Sequence, residues 1–209
     1  MTECSGLEPV PYALHNLGLS GEDNLESVRA VLDSNFWLST HVTTVTIGYS
    51  ATFVAGLIGA IHLWLRAFKA DYQDGEALAR AAYGILAFAL IASFIGTMLG
   101  GIWADQSWGR FWGWDPKENG ALLIVISMLA ILHARMGGYL REHGVCMAAA
   151  FTGTVVAFSW WGVNLLGVGL HSYGFTSGIH TALWSYYFVQ WGIVGLGGLH
   201  WYLERVRAR

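Results

Sequence analysis

The sequence predicts an all-α, polytopic membrane bundle of about five transmembrane helices, and two observations carry this prediction. First, 55% of the 209 residues are hydrophobic, 12% are charged, and the mean hydropathy is +0.46, whereas a soluble domain has about a quarter charged residues. Second, five apolar segments approach the roughly 20 residues that cross a bilayer core: 42–65, 81–101, 120–134, 145–168 and 179–203. The third segment is short and must take its first turn from the residues before it.

The residues before the first apolar segment are polar and acidic, with Arg29 as their one basic residue. They contain no apolar run that fits a signal peptide, so the first segment is expected to direct insertion. We therefore divide the chain into a polar, outward-facing N-terminal segment, residues 1–35, and a membrane-embedded domain, residues 36–209.

Lysines and arginines cluster at one set of segment ends, and positive charge is retained on the cytoplasmic side of membranes. These ends carry Arg66, Lys69, Arg80, Arg135, Arg141, Arg205, Arg207 and Arg209. The N-terminus, the loop after the second segment and the loop carrying His171 are therefore predicted to face outward, and the C-terminus inward. Cys4 and Cys146 would then lie on opposite sides of the membrane, so no disulfide is predicted.

The loop between the second and third segments contains the run 108–118, WGRFWGWDPKE. It combines three tryptophans and a phenylalanine with four charged residues, and Trp103 lies just before it. Tryptophan is favoured where an aromatic surface meets water at a membrane. The alternative is that the tryptophans are only interfacial anchors. However, they alternate with Gly109 and Gly113, and this indicates that a ligand approaches the backbone closely. The run therefore favours a docking surface for a flat, apolar, partly charged ligand.

The end of this run predicts a helix start. Asp115 fits the N-cap, Pro116 the first helical position, and Glu118 the reciprocal partner of a capping box. We therefore expect Asp115 to act indirectly, by fixing the angle at which the tryptophans enter the third segment.

The run resembles the tryptophan-rich "WWD" signature of the haem-handling proteins of cytochrome c assembly, and its WDPKE ending looks like the CcsA/ResC branch. The CcmC-like haem-delivery branch usually lacks that ending and stays as an alternative. Two further segments, around His41 and across 162–174, are similar to the family's two external histidine segments. Members usually carry more spans before the first of these, so the resemblance implies a truncated, split or partner-dependent protein.

The resemblance implies that the cargo is haem b, with His41 and His171 as the external iron ligands. The slot for the porphyrin would be formed by Trp103, Trp108, Trp112 and Trp114. Arg110 and Lys117 are candidate partners for the haem propionates. The alternative for the two histidines is a water-bonded position at the membrane interface.

The resemblance also implies the partners and the location. Haem would be presented on the outer side of a bacterial plasma membrane to the CXXCH segment of apocytochrome c, with help from a CcsB/ResB-like companion subunit. No nucleic-acid partner is expected. No side chain is identified from the sequence as a dedicated nucleophile or general base. It therefore stays open whether the protein is itself an enzyme.

A third histidine, His133, resembles the family's intramembrane haem ligand. It lies about fifteen residues into the third segment, on the order of 22 Å below the outer surface, so it cannot share an iron with the external pair. Its partner is either His62, His200 or a residue of another subunit; an ordinary inner-interface role stays open for all three. A bis-histidine b-type cytochrome that pairs His62 with His133 is the rival interpretation. A permease is disfavoured because Asn164 lies too close to the outer end.

Overall fold

The computed structural model describes residues 36–69, 72–171 and 178–208. They form five helices and one 3₁₀ segment: α1 (Phe36–Phe68), α2 (Gly75–Trp108), α3 (Pro116–Met136), α4 (Glu142–Trp160), the 3₁₀ segment Gly162–Leu166, and α5 (Ile179–Arg207). The prediction of an all-α bundle is confirmed. The expectations for residues 1–35, including Cys4, fall outside the described residues.

The described helices include four that are long and apolar enough to cross a membrane: α1, α2, α3, and α4 together with its 3₁₀ extension. The fifth predicted span forms the 29-residue helix α5, which is long enough but is not among the four. It contains His180, Gln190, His200 and a charged last turn, and these lower its mean hydropathy. Membrane crossing by α5 therefore stays a prediction.

Helix α2 continues through Trp108, beyond the apolar segment 81–101 that was predicted to cross the membrane. Asp105, Gln106 and Ser107 lower the hydropathy without breaking the helix. The helix ends only at Gly109, whose left-handed φ of 68° lets its N–H donate to the carbonyl of Asp105. Trp103 and Trp108 are therefore helical residues.

The fourth predicted segment, 145–168, is divided into an α-helix and a 3₁₀ segment. Helix α4 ends at Trp160, and the chain tightens into the 3₁₀ segment before Gly167 ends it with a φ of 63°. The chain therefore leaves the α-helix at Trp160 and reaches His171 through the 3₁₀ segment and the loop that follows it.

Small residues allow α1 and α2 to pack closely, as is common between membrane helices. A Cβ at position 96 would lie 2.7 Å from the backbone N of Val45, and one at position 48 would meet Ser93. Helix α4 packs against α1, α2, α3 and α5. One end of the bundle, here called the tryptophan end, holds His41, residues 103–118, Trp160 and His171; the other, the arginine end, holds Arg66, Arg141 and Arg205.

Candidate functional site

Two histidines far apart in the sequence, His41 and His171, line one cavity at the tryptophan end. Its volume is about 320 Å³, which lies in the range of small-molecule sites. The walls come from α1, the last turns of α2, the loop before α3, and the adjoining ends of α3 and α4. Aromatic and polar lining residues are His41, Tyr49, Phe111, Trp112, Lys117, Glu118, Trp160, Trp161, Asn164 and His171. The structure thus brings the two predicted external ligands together.

His41 lies near the start of α1, and its imidazole packs on α2. Its Nδ1 donates a hydrogen bond to the carbonyl of Gly96, at 2.7 Å. A carbonyl only accepts, so the proton lies on Nδ1 and Nε2 carries the lone pair. Gly100 makes room for the ring, because a Cβ there would lie 2.6 Å from the imidazole Cε1.

His171 is held by the loop that follows the 3₁₀ segment. Gly169 has a φ of 90°, and a Cβ there would lie 3.0 Å from the Cβ of Asp115, so the loop crosses closely over the start of α3. The Nδ1 of His171 donates to Oδ2 of Asp115 at 2.5 Å. This contact orients the ring and places the lone pair on Nε2, as in metal-binding histidines that are backed by a carboxylate.

Asp115 is an ionised carboxylate in this arrangement. Burial alone would raise its pKa, but hydrogen bonds from His171 and from the backbone N–H groups of Glu118 and Lys117 together hold the pKa of Asp115 below its usual value. Because the pKa of Asp115 is lower in the folded state than in the unfolded state, its ionised carboxylate stabilises the fold at pH values above the unfolded pKa. That stabilisation is lost as the pH falls through the lowered folded value.

The predicted capping box is confirmed. Asp115 Oδ1 accepts from the backbone N–H of Lys117 at 2.8 Å and of Glu118 at 3.0 Å. In return, Glu118 Oε2 accepts from the N–H of Asp115 and from that of Gly113. The sequence predicts only this capping role for Asp115, and the bond to His171 adds a second role.

Asp115, Glu118 and His171 also lie close enough together to hold a metal ion, with their ligand atoms within 4.8 Å of one another. However, both Asp115 oxygens and both Glu118 oxygens already accept bonds from N–H donors. The cluster therefore fits helix capping and histidine orientation better than metal binding.

The four predicted slot tryptophans do not form one surface, because only Trp112 lines the cavity. Trp103 is 1% exposed and packs on Trp108 at a centroid distance of 4.6 Å, while Trp108 packs edge-on against His171 at 5.0 Å. These two indoles therefore support His171 from behind. The difference follows from the extension of α2, which places both of them on a helix.

Trp114 stands apart, 69% exposed and 6.1 Å from the ring of Trp112. Its φ is +59°, a left-handed conformation that costs about 1–2 kcal/mol in a residue other than glycine. The Nδ2 of Asn119 donates to its carbonyl at 3.0 Å and helps to hold it. Strained backbone of this kind concentrates at functional sites.

The two predicted propionate partners have different environments. Lys117 lines the cavity, and its Nζ donates to the carbonyl of Trp160 at 2.5 Å and to Oδ1 of Asn164 at 2.9 Å. Arg110 is not a lining residue; it pairs with Glu118 at 3.3 Å and lies 6.0 Å from the ring of Trp108. The structure therefore favours Lys117 as the basic group of the cavity.

Sequence reasoning missed one wall of the cavity. Trp160 and Trp161 stack at 4.7 Å with an interplanar angle of 18°, and Tyr49 meets Trp160 edge-on at 5.5 Å. The signal was present in the sequence, because the paired tryptophans fall near the outer end of the fourth predicted span.

His133 lies on the exposed surface of α3, on the order of 25 Å along the helix from Pro116. Its Nδ1 donates to the carbonyl of Leu129 at 2.8 Å, which leaves the lone pair on Nε2. Among the described residues, no hydrogen bond joins it to His62 or His200. Its predicted depth, far from the external cavity, agrees with this position.

His62 belongs to a different network, which includes His143, a residue that was not predicted from the sequence to lie at a site. The Nε2 of His143 donates to the carbonyl of Gly197 at 3.0 Å, so its Nδ1 accepts from Nε2 of His62 at 3.3 Å. The Nδ1 of His62 in turn accepts from the hydroxyl of Tyr72 at 3.0 Å. Both ring nitrogens of His62 are engaged, which removes support from a b-type cytochrome built on His62 and His133.

These features define a class: an integral membrane protein made of helices, with a cavity lined by histidines and aromatic residues at one end. Comparison with known families is more specific. Residues 25–171 match the family described as cytochrome C assembly protein, and the chain belongs to that family.

The relatives are proteins named cytochrome c biogenesis protein CcsA. The one from Chlamydomonas reinhardtii is 36% identical over 69% of this chain and 42% of its own length. The one from Parasynechococcus marenigrum strain WH8102 is 28% identical over 75% of this chain and 62% of its own length. The one from Guillardia theta is 32% identical over 68% of this chain and 55% of its own length. The chain thus spans 42% to 62% of the length of these relatives.

Proposed function

We propose that the chain binds haem b in the cavity at the tryptophan end and presents it to apocytochrome c for covalent attachment. The observation that carries the proposal is the meeting of His41 and His171 in one aromatic cavity. Each ring is oriented by a hydrogen bond from Nδ1 to an oxygen atom, so that Nε2 carries the lone pair for iron.

The lining of the cavity suits haem as a cargo. A porphyrin needs apolar walls, axial nitrogen ligands and a cation for its propionates. Trp112, Trp160 and Trp161 offer the walls, the two histidines the axial ligands, and Lys117 the cation. The carboxylate of Glu118 also lines the cavity, but it is neutralised by Arg110 and by backbone N–H groups.

The chemical step we propose is thioether formation with the CXXCH segment of apocytochrome c. Each cysteine thiol adds across a haem vinyl group: sulfur bonds to one vinyl carbon, and the thiol proton ends on the other. Because this addition is redox-neutral, the chain needs to supply position rather than an oxidant. Holding the vinyl edge against the incoming thiols provides much of the rate.

A companion subunit of the CcsB/ResB type would pack on α3. An exposed stripe with alternating spacings of four and three residues runs along this helix: Leu122, Ile126, Leu129, His133 and Met136. This is the spacing that a neighbouring helix recognises. A histidine on a membrane-facing surface is costly without a partner, so we propose that His133 binds a second haem together with a ligand from the companion.

The distribution of charge gives the proposed orientation. Arg66, Arg141 and Arg205 line one cavity at the arginine end, which by the positive-inside rule faces the cytoplasm. The tryptophan end then faces the outer side of a bacterial plasma membrane, where apocytochrome c is delivered.

Haem titration of the purified chain in detergent tests the proposal. We expect a low-spin, bis-imidazole absorption spectrum for the wild type. Trp112→Ala should weaken haem binding about tenfold, the scale of an aromatic contact. Trp64→Ala is the matched control, because Trp64 is exposed on α1 and packs on Phe68. Equal affinities in the two variants, or a spectrum without imidazole ligation, would contradict the proposed site.

Asp115 provides a test of histidine orientation that is separate from stability. Asp115→Asn keeps an oxygen for the cap, but its amide N–H₂ would face the N–H of His171, so the imidazole must move its proton to Nε2. We expect haem affinity to fall about 10–100-fold, the usual effect of losing such a supporting contact, with a smaller loss of stability than in Asp115→Ala. Asp115→Ala should lower stability by about 1 kcal/mol through loss of the cap.

Haem titration and thermal unfolding of both Asp115 variants give the comparison. If Asp115→Asn bound haem like the wild type, the bond to His171 would have no role in ligation, and capping alone would account for Asp115.

A further inference from the structure

A second polar cavity lies at the arginine end, between the end of α1, the start of α4 and the end of α5. Its volume is about 380 Å³. Its charged and aromatic lining includes Arg66, Arg141, Glu142, Trp201, Glu204 and Arg205. Three arginines from three separate parts of the chain therefore line one space.

These positive charges are only partly compensated. Arg66 binds both carboxylate oxygens of Glu204, at 2.9 and 3.2 Å, but its Nε is buried and has no hydrogen-bond partner among the described residues. Within the described part of the chain, neither Arg141 nor Arg205 has an ion-pair partner. Glu142 is the one remaining acidic group in the lining, so the cavity carries an excess of positive charge.

Two further features of the lining suit an anion. Arg141 is the N-cap of α4 and makes no side-chain capping bond, so its side chain satisfies none of the first N–H groups of that helix. Arg205 lies 4.2 Å from the ring centroid of Trp201, and this cation–π contact holds its guanidinium group at the wall of the cavity.

We propose that this cavity binds the phosphate headgroup of an anionic phospholipid. Guanidinium groups match the oxygens of a phosphate group with paired hydrogen bonds, and basic pockets between membrane helices at this depth take such headgroups. An acyl chain has an apolar contact beside the cavity, since Trp201 lines it and is 42% exposed. The bound lipid would join α1, α4 and α5 at the end opposite the haem cavity, independently of the proposed function.

Native mass spectrometry of the full chain can test this lipid site. The protein is reconstituted in phosphatidylcholine alone or in phosphatidylcholine mixed with phosphatidylglycerol, then extracted and weighed. We expect the wild type to retain one phosphatidylglycerol molecule. The double variant Arg141→Gln/Arg205→Gln should bind it about 25-fold more weakly, since each basic side chain contributes about a factor of five near an anionic surface.

Arg80→Gln is the matched control, because Arg80 lies at the same end of the bundle but pairs with Glu76 on the exposed surface of α2. It should retain the lipid like the wild type. Lysine at positions 141 and 205 should restore part of the binding, since it keeps the charge without the paired geometry. Equal retention by the wild type and the glutamine double variant would overturn the proposal. Displacement of the lipid by millimolar inorganic phosphate would overturn it as well, and would make free phosphate the ligand.

Discussion

Replacing His41 by alanine is expected to abolish haem binding at the tryptophan end and to leave haem deep in the membrane, whereas His133→Ala should do the reverse. His41 shares its cavity with His171. His133 lies near the far end of α3, on the order of 25 Å away along the helix. One haem cannot be bound by both, so the two variants should empty different sites.

Co-purified haem and externally added haem distinguish the two sites. The His133→Ala protein should contain less haem after expression, yet its external cavity should regain the bis-imidazole spectrum when haem is added. The His41→Ala protein should retain the haem that it acquires in the cell and gain no such spectrum from added haem. Both proteins are purified with their companion subunit, because the proposed second ligand of the deep haem lies there.

Identical losses in the two variants, unrelieved by added haem, would contradict the two-site arrangement. His133 would then be an ordinary histidine whose Nδ1 bonds to the carbonyl of Leu129. Thermal unfolding serves as the check on folding, and His133 is exposed, so its replacement should leave the Tm nearly unchanged.

Local chemistry made parts of this structure predictable from the sequence. The cap at Asp115 and Glu118 depends on residues three positions apart, and the structure has both of its reciprocal hydrogen bonds. The five helices likewise follow from long apolar stretches. In each case the signal and the interaction lie within a few turns of one another.

Contacts between distant residues were not predictable in the same way. The carboxylate of Asp115 meets His171 across 56 positions, and the ring of His62 meets His143 across 81. Which side chains meet depends on the rotation and register of each helix, and these are set by packing. The sequence showed that polar residues were present at each end of the bundle, but not how they were paired.

The position of the tryptophans shows that hydropathy alone does not predict where a helix ends. Hydropathy reports the free energy of transfer into lipid, and it falls at Asp105 although the helix continues to Trp108. Trp103 and Trp108 were therefore assigned to a loop. In the helix they pack behind His171, so part of the expected porphyrin slot is instead a support for a proposed iron ligand.

The position of the other proposed ligand depends on a glycine. The ring of His41 lies over Gly100, where a Cβ would be 2.6 Å from Cε1 and 2.7 Å from Nδ1. Gly100→Ala must push the imidazole away and break its bond to the carbonyl of Gly96. We expect haem affinity to fall about 10–100-fold, as when the supporting contact of a metal ligand is lost.

Gly84→Ala is the control on the same helix, because a Cβ at position 84 meets no atom within 4 Å. An alanine there should raise helix stability by up to about 1 kcal/mol without changing haem affinity. Haem titrations and thermal unfolding of the two variants measure both effects. If Gly100→Ala and Gly84→Ala bound haem equally well, the close approach of His41 to α2 would be irrelevant to the site, and His41 would lose its assignment as an iron ligand oriented by that helix.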